Sequence, residues 1–208
     1  MWLKKMRRLI VLLLIAGCQN RDIQQNELYI QQCKSDTCVS SGIKGKFFTV
    51  MQPTPYTCWA SVLCMMFSWK HRVFTSEKEI LKAYPAYLRL FEEGETKGIT
   101  IEQEKALYPL LGLSIEQQLN PTIKGWCEMI DKYGPLSITI DARPPYGTIH
   151  AILILAIYGA ETGLNTRVVY ADPATGKILD ENFLAFLKMY ESKYSVDWPI
   201  QIIHFTEL

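Results

Sequence analysis

The spacing of polar and apolar positions changes partway along this chain. Leu9 to Ile15 is an unbroken apolar run behind Lys4, Lys5, Arg7 and Arg8. Residues 19–45 are polar, rich in Gln, Ser, Asp and Lys, and read as a tether to a core that begins near Lys46. Cys58 to Trp69 holds no charged residue, and Lys70-His71-Arg72 follows it. That pattern predicts a short buried helix with its cations at the C-terminal end, where the dipole favours them. It is too short to span a bilayer. Ser76-x-x-Glu79 and Thr100-x-x-Gln103 are capping boxes that start two more helices. Asn120-Pro121 and Gly134 bracket a fourth, over residues 122–133. The period then drops to two. Leu136, Ile138 and Ile140 alternate as in a strand, residues 149–158 form a longer apolar run, and 167–171 return after a turn at Gly159 to Asn165. Asp180 to Lys193 reads as a helix with Phe183, Phe186, Leu187 and Tyr190 on one face, and Ile200 to Phe205 as a last strand. Helices first and an antiparallel sheet second predict an α+β fold, with a buried helix packed on the C-terminal sheet.

The N-terminus bears on the compartment. A basic stretch, an apolar run and small residues are the three parts of a secretory signal, over residues 1–17. Ile15-Ala16-Gly17-Cys18 resembles the bacterial lipoprotein signal, which implies cleavage before Cys18 and lipid on that cysteine. The expected organisation is a signal peptide 1–17, a lipid-anchored tether 18–45 and a domain 46–208, held at the bacterial cell envelope. Gln19 after the cysteine points to the outer membrane in a host that has one. Several acyl chains hold a protein firmly, where one binds marginally. Losing residues 1–17 removes Lys4, Lys5, Arg7 and Arg8 and no acid, so the formal charge falls from +1 to −3. No basic patch interleaved with aromatics remains, which argues against a nucleic-acid partner. At 208 residues with 49% hydrophobic, the chain can bury the core of one domain.

Cysteine usage fits export. Cys33 and Cys38 bracket a polar stretch that suits a small disulfide loop. A zinc site would need a second ligand pair, and His71, His150 and His204 lie far apart, so no metal or other cofactor is expected. Cys64 and Cys127 fall on helices and read as buried thiols, with a bridge between them left open.

The chemistry lies in Gln52, Cys58, His150 and Asp172. Thr57 can cap the helix that Cys58 opens, and the dipole at a helix start favours a thiolate. His150 opens one apolar strand and Asp172 closes the next, so a hairpin can bring both to one rim. An imidazole there can ionise the thiol, with the carboxylate fixing its tautomer. The Gln52 amide and the Cys58 backbone N–H can face one tetrahedral oxygen. Asp141, which ends the preceding strand, rivals Asp172 for the carboxylate. Alone, each of these residues has an ordinary structural explanation. The set is what carries the signal.

Gln52-x₅-Cys58-Trp59-Ala60-Ser61, with His150-Ala151-Ile152-Leu153 and Asp172-Pro173-x-x-Gly176, resembles the papain-like cysteine peptidases. The closer likeness is to their compact bacterial branch of leader-processing and secreted effector proteases. It covers about residues 46–205. The resemblance implies Cys58 as nucleophile, His150 as base, Asp172 as orienting acid and Gln52 as oxyanion residue, acting on a peptide or protein. Papain itself has asparagine at the third position, and its Cys-Gly-Ser-Cys signature is absent. Two other functions stay open on sequence. One is a transglutaminase-like enzyme, which shares the order Cys, His, Asp. The other is an inactive, peptidase-like binding module or export-system partner.

Overall fold

The structure, a computed structural model, describes residues 23–27, 38–117, 119–142, 149–192, 198–199 and 201–207. The expected signal peptide, Cys18, Cys33 and the side chain of Cys38 lie outside the described residues. Three strands come first: β1 (Ile23–Glu27), β2 (Cys38–Gly42) and β3 (Lys46–Val50). Four helices follow: α1 (Cys58–His71), α2 (Glu77–Leu81), α3 (Pro85–Glu92) and α4 (Ile101–Leu110). Next are β4 (Leu113–Gln117), α5 (Ile123–Tyr133), β5 (Leu136–Asp141), β6 (Ile149–Ala160), β7 (Thr166–Asp172) and β8 (Lys177–Asn182). The chain ends with α6 (Phe183–Ser192) and β9 (Gln201–Phe205). The result is the expected α+β arrangement.

The main sheet is antiparallel, in the order β4-β9-β5-β6-β7-β8. β6 is long enough to pair with β5 through its first half and with β2 through its second. β5 does not show the half-exposed pattern that its alternation suggests. Ser137, Thr139 and Asp141 are buried along with Leu136, Ile138 and Ile140. The central strands are enclosed because α1 packs on β6, and α5 and α6 pack on β5, β6 and β7. Trp126 of α5 meets Phe186 and Tyr190 of α6 edge-on, which joins those two helices over the sheet.

Both capping boxes form. Ser76 and Glu79 satisfy each other's backbone donors at α2, as do Thr100 and Gln103 at α4. Thr122 caps α5 by accepting from the Gly125 N–H. α3 and β4 were not foreseen. The expected helix from Asp180 starts later, because Asp180 is in β8 opposite Val169. Its carboxylate accepts from Arg167 Nε at 2.8 Å, and Asn182 Oδ1 then accepts from the Leu184 N–H at 2.9 Å to begin α6.

The domain also starts earlier than Lys46. β2 lies in the main sheet, Ile43 is in the core, and the Ile43 N–H donates to Leu155 O at 2.9 Å. β1 pairs along the whole of β3. These segments looked like tether because edge strands favour polar side chains. Cys64 and Cys127 are buried thiols that form no bridge. Burial, followed by the charges of Asp131 and Glu128, pushes the Cys127 thiol up to about 12. Among the described residues, no helix is long and apolar enough to cross a membrane.

The C-terminal end of α1 is locked to α5 at one glycine. Trp69 donates its indole N–H to Lys44 O at 3.0 Å, and the Arg72 guanidinium lies 4.9 Å from its ring centre. Gly134, at φ 75° and ψ −145°, passes so close that a Cβ there would sit 2.3 Å from Trp69 Cη2. Gly134→Ala therefore combines a backbone region reserved for glycine with a backbone-to-ring clash. We expect it to destabilise folding by about 2 kcal/mol or more. A urea titration of the purified domain checks this, and an unchanged midpoint would contradict the packing described.

Candidate active site

Cys58 is the first residue of α1, half-buried at its N-terminus. No acidic residue lies in the first turn to neutralise the positive end of the helix. The expected Thr57 side-chain cap does not form. Thr57 Oγ1 instead turns back and donates to Thr54 O at 2.9 Å, while the Thr54 hydroxyl donates to Gly94 O at 2.7 Å. The hydroxyl thus holds the turn before the helix and ties it to the segment after α3. The Cys58 N–H is left uncapped by Thr57.

His150 and Asp172 meet as the hairpin reading expects. Leu153 pairs with Ala171, so Asp172 falls one step further along β7, within diagonal reach of His150. His150 Nε2 lies 2.7 Å from Asp172 Oδ1. The carboxylate also accepts from the Ala174 N–H at 2.8 Å, and the Asp172 carbonyl closes the turn by accepting from the Gly176 N–H at 2.8 Å. The Cys58 thiol lies near enough to the His150 ring to help raise its pKa. With Nε2 on Asp172, Nδ1 is the ring nitrogen left for the sulfur. The rival, Asp141, is fully buried and pairs with Ile149 across the β5–β6 ladder.

The electrostatics follow from these contacts. Burial alone would lower the His150 pKa. Hydrogen bonds to Asp172 and Cys58, and the charges of both, outweigh it and bring the imidazole up to about 9. Burial would raise Asp172, but the hydrogen bond and charge of His150, with help from the Ala174 N–H, hold it below its ordinary value. A thiol, an imidazole and a carboxylate joined in this way can hold a proton on the ring and leave the sulfur as a nucleophile.

Gln52 stands beside this group through its backbone, whose N–H donates to Pro173 O at 2.7 Å. Its side-chain Nε2 donates to Thr54 O at 2.8 Å, which commits one of the two amide hydrogens. Its Oε1 is buried without a partner among the described residues.

A cavity of about 320 Å³ opens beside Cys58. Trp59, Ile99, Ile149, Ala151 and Trp198 give it apolar walls, and Thr139 and Glu104 add polar groups. Glu104 is buried, accepting from the Tyr108 hydroxyl at 2.9 Å and from Gln201 Nε2 at 2.6 Å. Burial, then the Glu104 charge, pushes the Tyr108 hydroxyl well above its ordinary range. The buried Trp59 indole N–H has no acceptor among the described residues. These lining groups were not singled out in the sequence. Only the i, i+4 spacing of Glu104 and Tyr108 on a capped helix could have signalled that pair. Among the described residues, no three of His, Cys, Asp and Glu gather where a metal could bind.

No curated protein matches the chain. The family described as papain-like cysteine protease AvrRpt2 matches residues 42–194, well over half of the chain. The match takes in Gln52, Cys58, His150 and Asp172 and spans both the helical half and the sheet. The chain belongs to this family of papain-like cysteine proteases and is a cysteine peptidase, a hydrolase whose substrate is a peptide or protein.

Proposed function

We propose that Cys58, His150 and Asp172 are the catalytic triad of this peptidase, and that it works outside the cytoplasm, tethered by lipid on Cys18. The observation that carries the triad is His150 bonded to Asp172 at 2.7 Å, with the Cys58 thiol near enough to raise the pKa of the same ring. The Cys58 thiolate attacks the scissile carbonyl carbon, forming a C–S bond and a tetrahedral oxyanion. The uncapped Cys58 N–H and the second amide hydrogen of Gln52 donate to that oxygen. His150 gives its proton to the leaving amine as the C–N bond breaks, leaving a thioester. His150 then takes a proton from water, whose oxygen attacks the thioester. The acid product leaves and the thiolate returns. Asp172 holds the ring in one orientation and offsets its charge throughout. The cavity beside Cys58 suits an apolar side chain of the substrate. The lipoprotein box at residues 15–18, behind a basic and apolar leader, supports the anchor.

Cys58→Ala should abolish turnover of a peptide substrate and leave the denaturation midpoint nearly unchanged. In the wild type, iodoacetamide should alkylate Cys58 ahead of the buried Cys64 and Cys127. An active alanine variant, or selective labelling of either buried thiol, would sink the mechanism.

Asp172→Ala should lower kcat by about 10²-fold or more with a smaller effect on KM, while Asp172→Asn keeps part of the rate. The alkaline limb of kcat/KM reports loss of the His150 proton and should fall near 9. Asp172 helps raise that value, so in Asp172→Asn the limb moves to lower pH. A limb that stays in place would remove Asp172 from the triad.

Metabolic labelling with a fatty acid should mark the wild type and not Cys18→Ala. An unlabelled, freely soluble wild type would end the anchoring proposal.

A further inference from the structure

The N-terminal strand fixes which end of the domain the anchor can reach. β1 is antiparallel to β3, with Ile23 opposite Val50 and Glu27 opposite Lys46. Val50 leads directly into Met51 and Gln52, and Gln52 bonds to the Asp172 turn through Pro173. A chain arriving at Ile23 therefore enters at the catalytic end of β3. Only residues 19–22 separate Cys18 from Ile23. Fully extended, that link reaches at most about 18 Å.

Exposed apolar side chains occur at this same end. Ile23 is 44% exposed, Met51 38%, Tyr56 48% and Ile149 38%. Tyr56 and Ile149 border the cavity beside Cys58. Met51 lies against Gly176 of the Asp172 turn, where a Cβ would sit 3.1 Å from its own. The four thus flank the catalytic group on two sides. Lone exposed apolar residues need no explanation, whereas a set around one cleft does.

We propose that the apolar rim faces the bilayer. On this view the anchor holds Ile23, at the catalytic end of β3, within about 18 Å of the membrane surface. The substrates would then be peptide segments lying at that surface, such as the juxtamembrane stretches of membrane or lipid-bound proteins. The proposal rests on lipid at Cys18. The short link and the paired β1 select the bilayer as the occupant of the rim, since no lipidated protein tied this closely could turn its Ile23 end far from the membrane.

The test needs no known substrate. The full lipidated protein is placed on vesicles of phosphatidylethanolamine and phosphatidylglycerol. A few per cent of the lipid carries a haloacetamide on a short headgroup spacer. A variant with twenty Gly and Ser residues inserted between Asn20 and Arg21 gives the domain a flexible leash of about 25 Å r.m.s.. Alkylation of Cys58 is followed by mass spectrometry, along with the lipid on the N-terminal peptide. We expect the headgroup reagent to label Cys58 in the wild type about tenfold or more faster than in the insertion variant, because the leash dilutes the thiol away from the surface. Soluble iodoacetamide should label both equally. Equal rates with the headgroup reagent on lipidated proteins would overturn this orientation and leave the anchoring reading standing. An N-terminal peptide without lipid would end both. Cys58 inert to both reagents would overturn the orientation together with the mechanism. A lipid-free Cys18→Ser protein that sediments as a dimer, and becomes monomeric on Ile23→Asp, would assign the rim to a second copy instead of the bilayer.

Discussion

A charged imidazole at the edge of a buried sheet has to be compensated by groups that the fold places there beforehand. His150 meets that constraint through the end of β7. Asp172 reaches it at 2.7 Å because the β6–β7 ladder, beyond a register shift between Ile154 and Ala156, pairs Leu153 with Ala171 and sets Asp172 one step further along. Asp172 is itself held by the turn it begins, through the Ala174 and Gly176 N–H groups. Burial works against charge on both residues, and the pairing overcomes it on both. His150 rises to about 9, and Asp172 falls below its ordinary value. The two shifts have opposite signs and one shared cause, which is the mark of an ion pair rather than of solvent exposure.

The helical half has to bring Cys58 to that rim, and it does so through a turn that is braced twice. Thr57 and Thr54 bond to each other and, through Thr54, to Gly94. Gln52 ties the start of the same turn to Pro173, beside Asp172. The residues before the helix are therefore fixed to both sides of the site, to the end of α3 and to the turn after β7. The missing side-chain cap at Thr57 follows from this use of its hydroxyl. One oxygen cannot brace the turn and also cap the helix with good geometry.

Much of this was legible in the sequence, for identifiable reasons. Capping boxes are local, so Ser76 with Glu79 and Thr100 with Gln103 could be read directly. The His150–Asp172 pairing needed only a hairpin and two apolar strands. Readings failed where tertiary contacts override local pattern. Asp180 looks like a helix residue until Arg167 across the ladder claims its carboxylate. β1 and β2 looked like tether because their polar side chains suit a sheet edge, and edge pairing leaves no periodic apolar signal. Glu104 was invisible as part of the site because its neighbours there come from α1, β5 and β6, far away in the chain.

The two carboxylates near Cys58 divide the electrostatic work. Asp172 bonds to a group that can carry positive charge, so its charge is offset when His150 is protonated. Glu104 accepts from the neutral donors of Tyr108 and Gln201, with oxygen-to-donor distances of 2.9 and 2.6 Å. After burial, the Glu104 charge is the main influence that raises the Tyr108 hydroxyl. Glu104 thus adds a polar group to the wall of an apolar cavity, while His150 and Asp172 stand as a pair on the sheet rim.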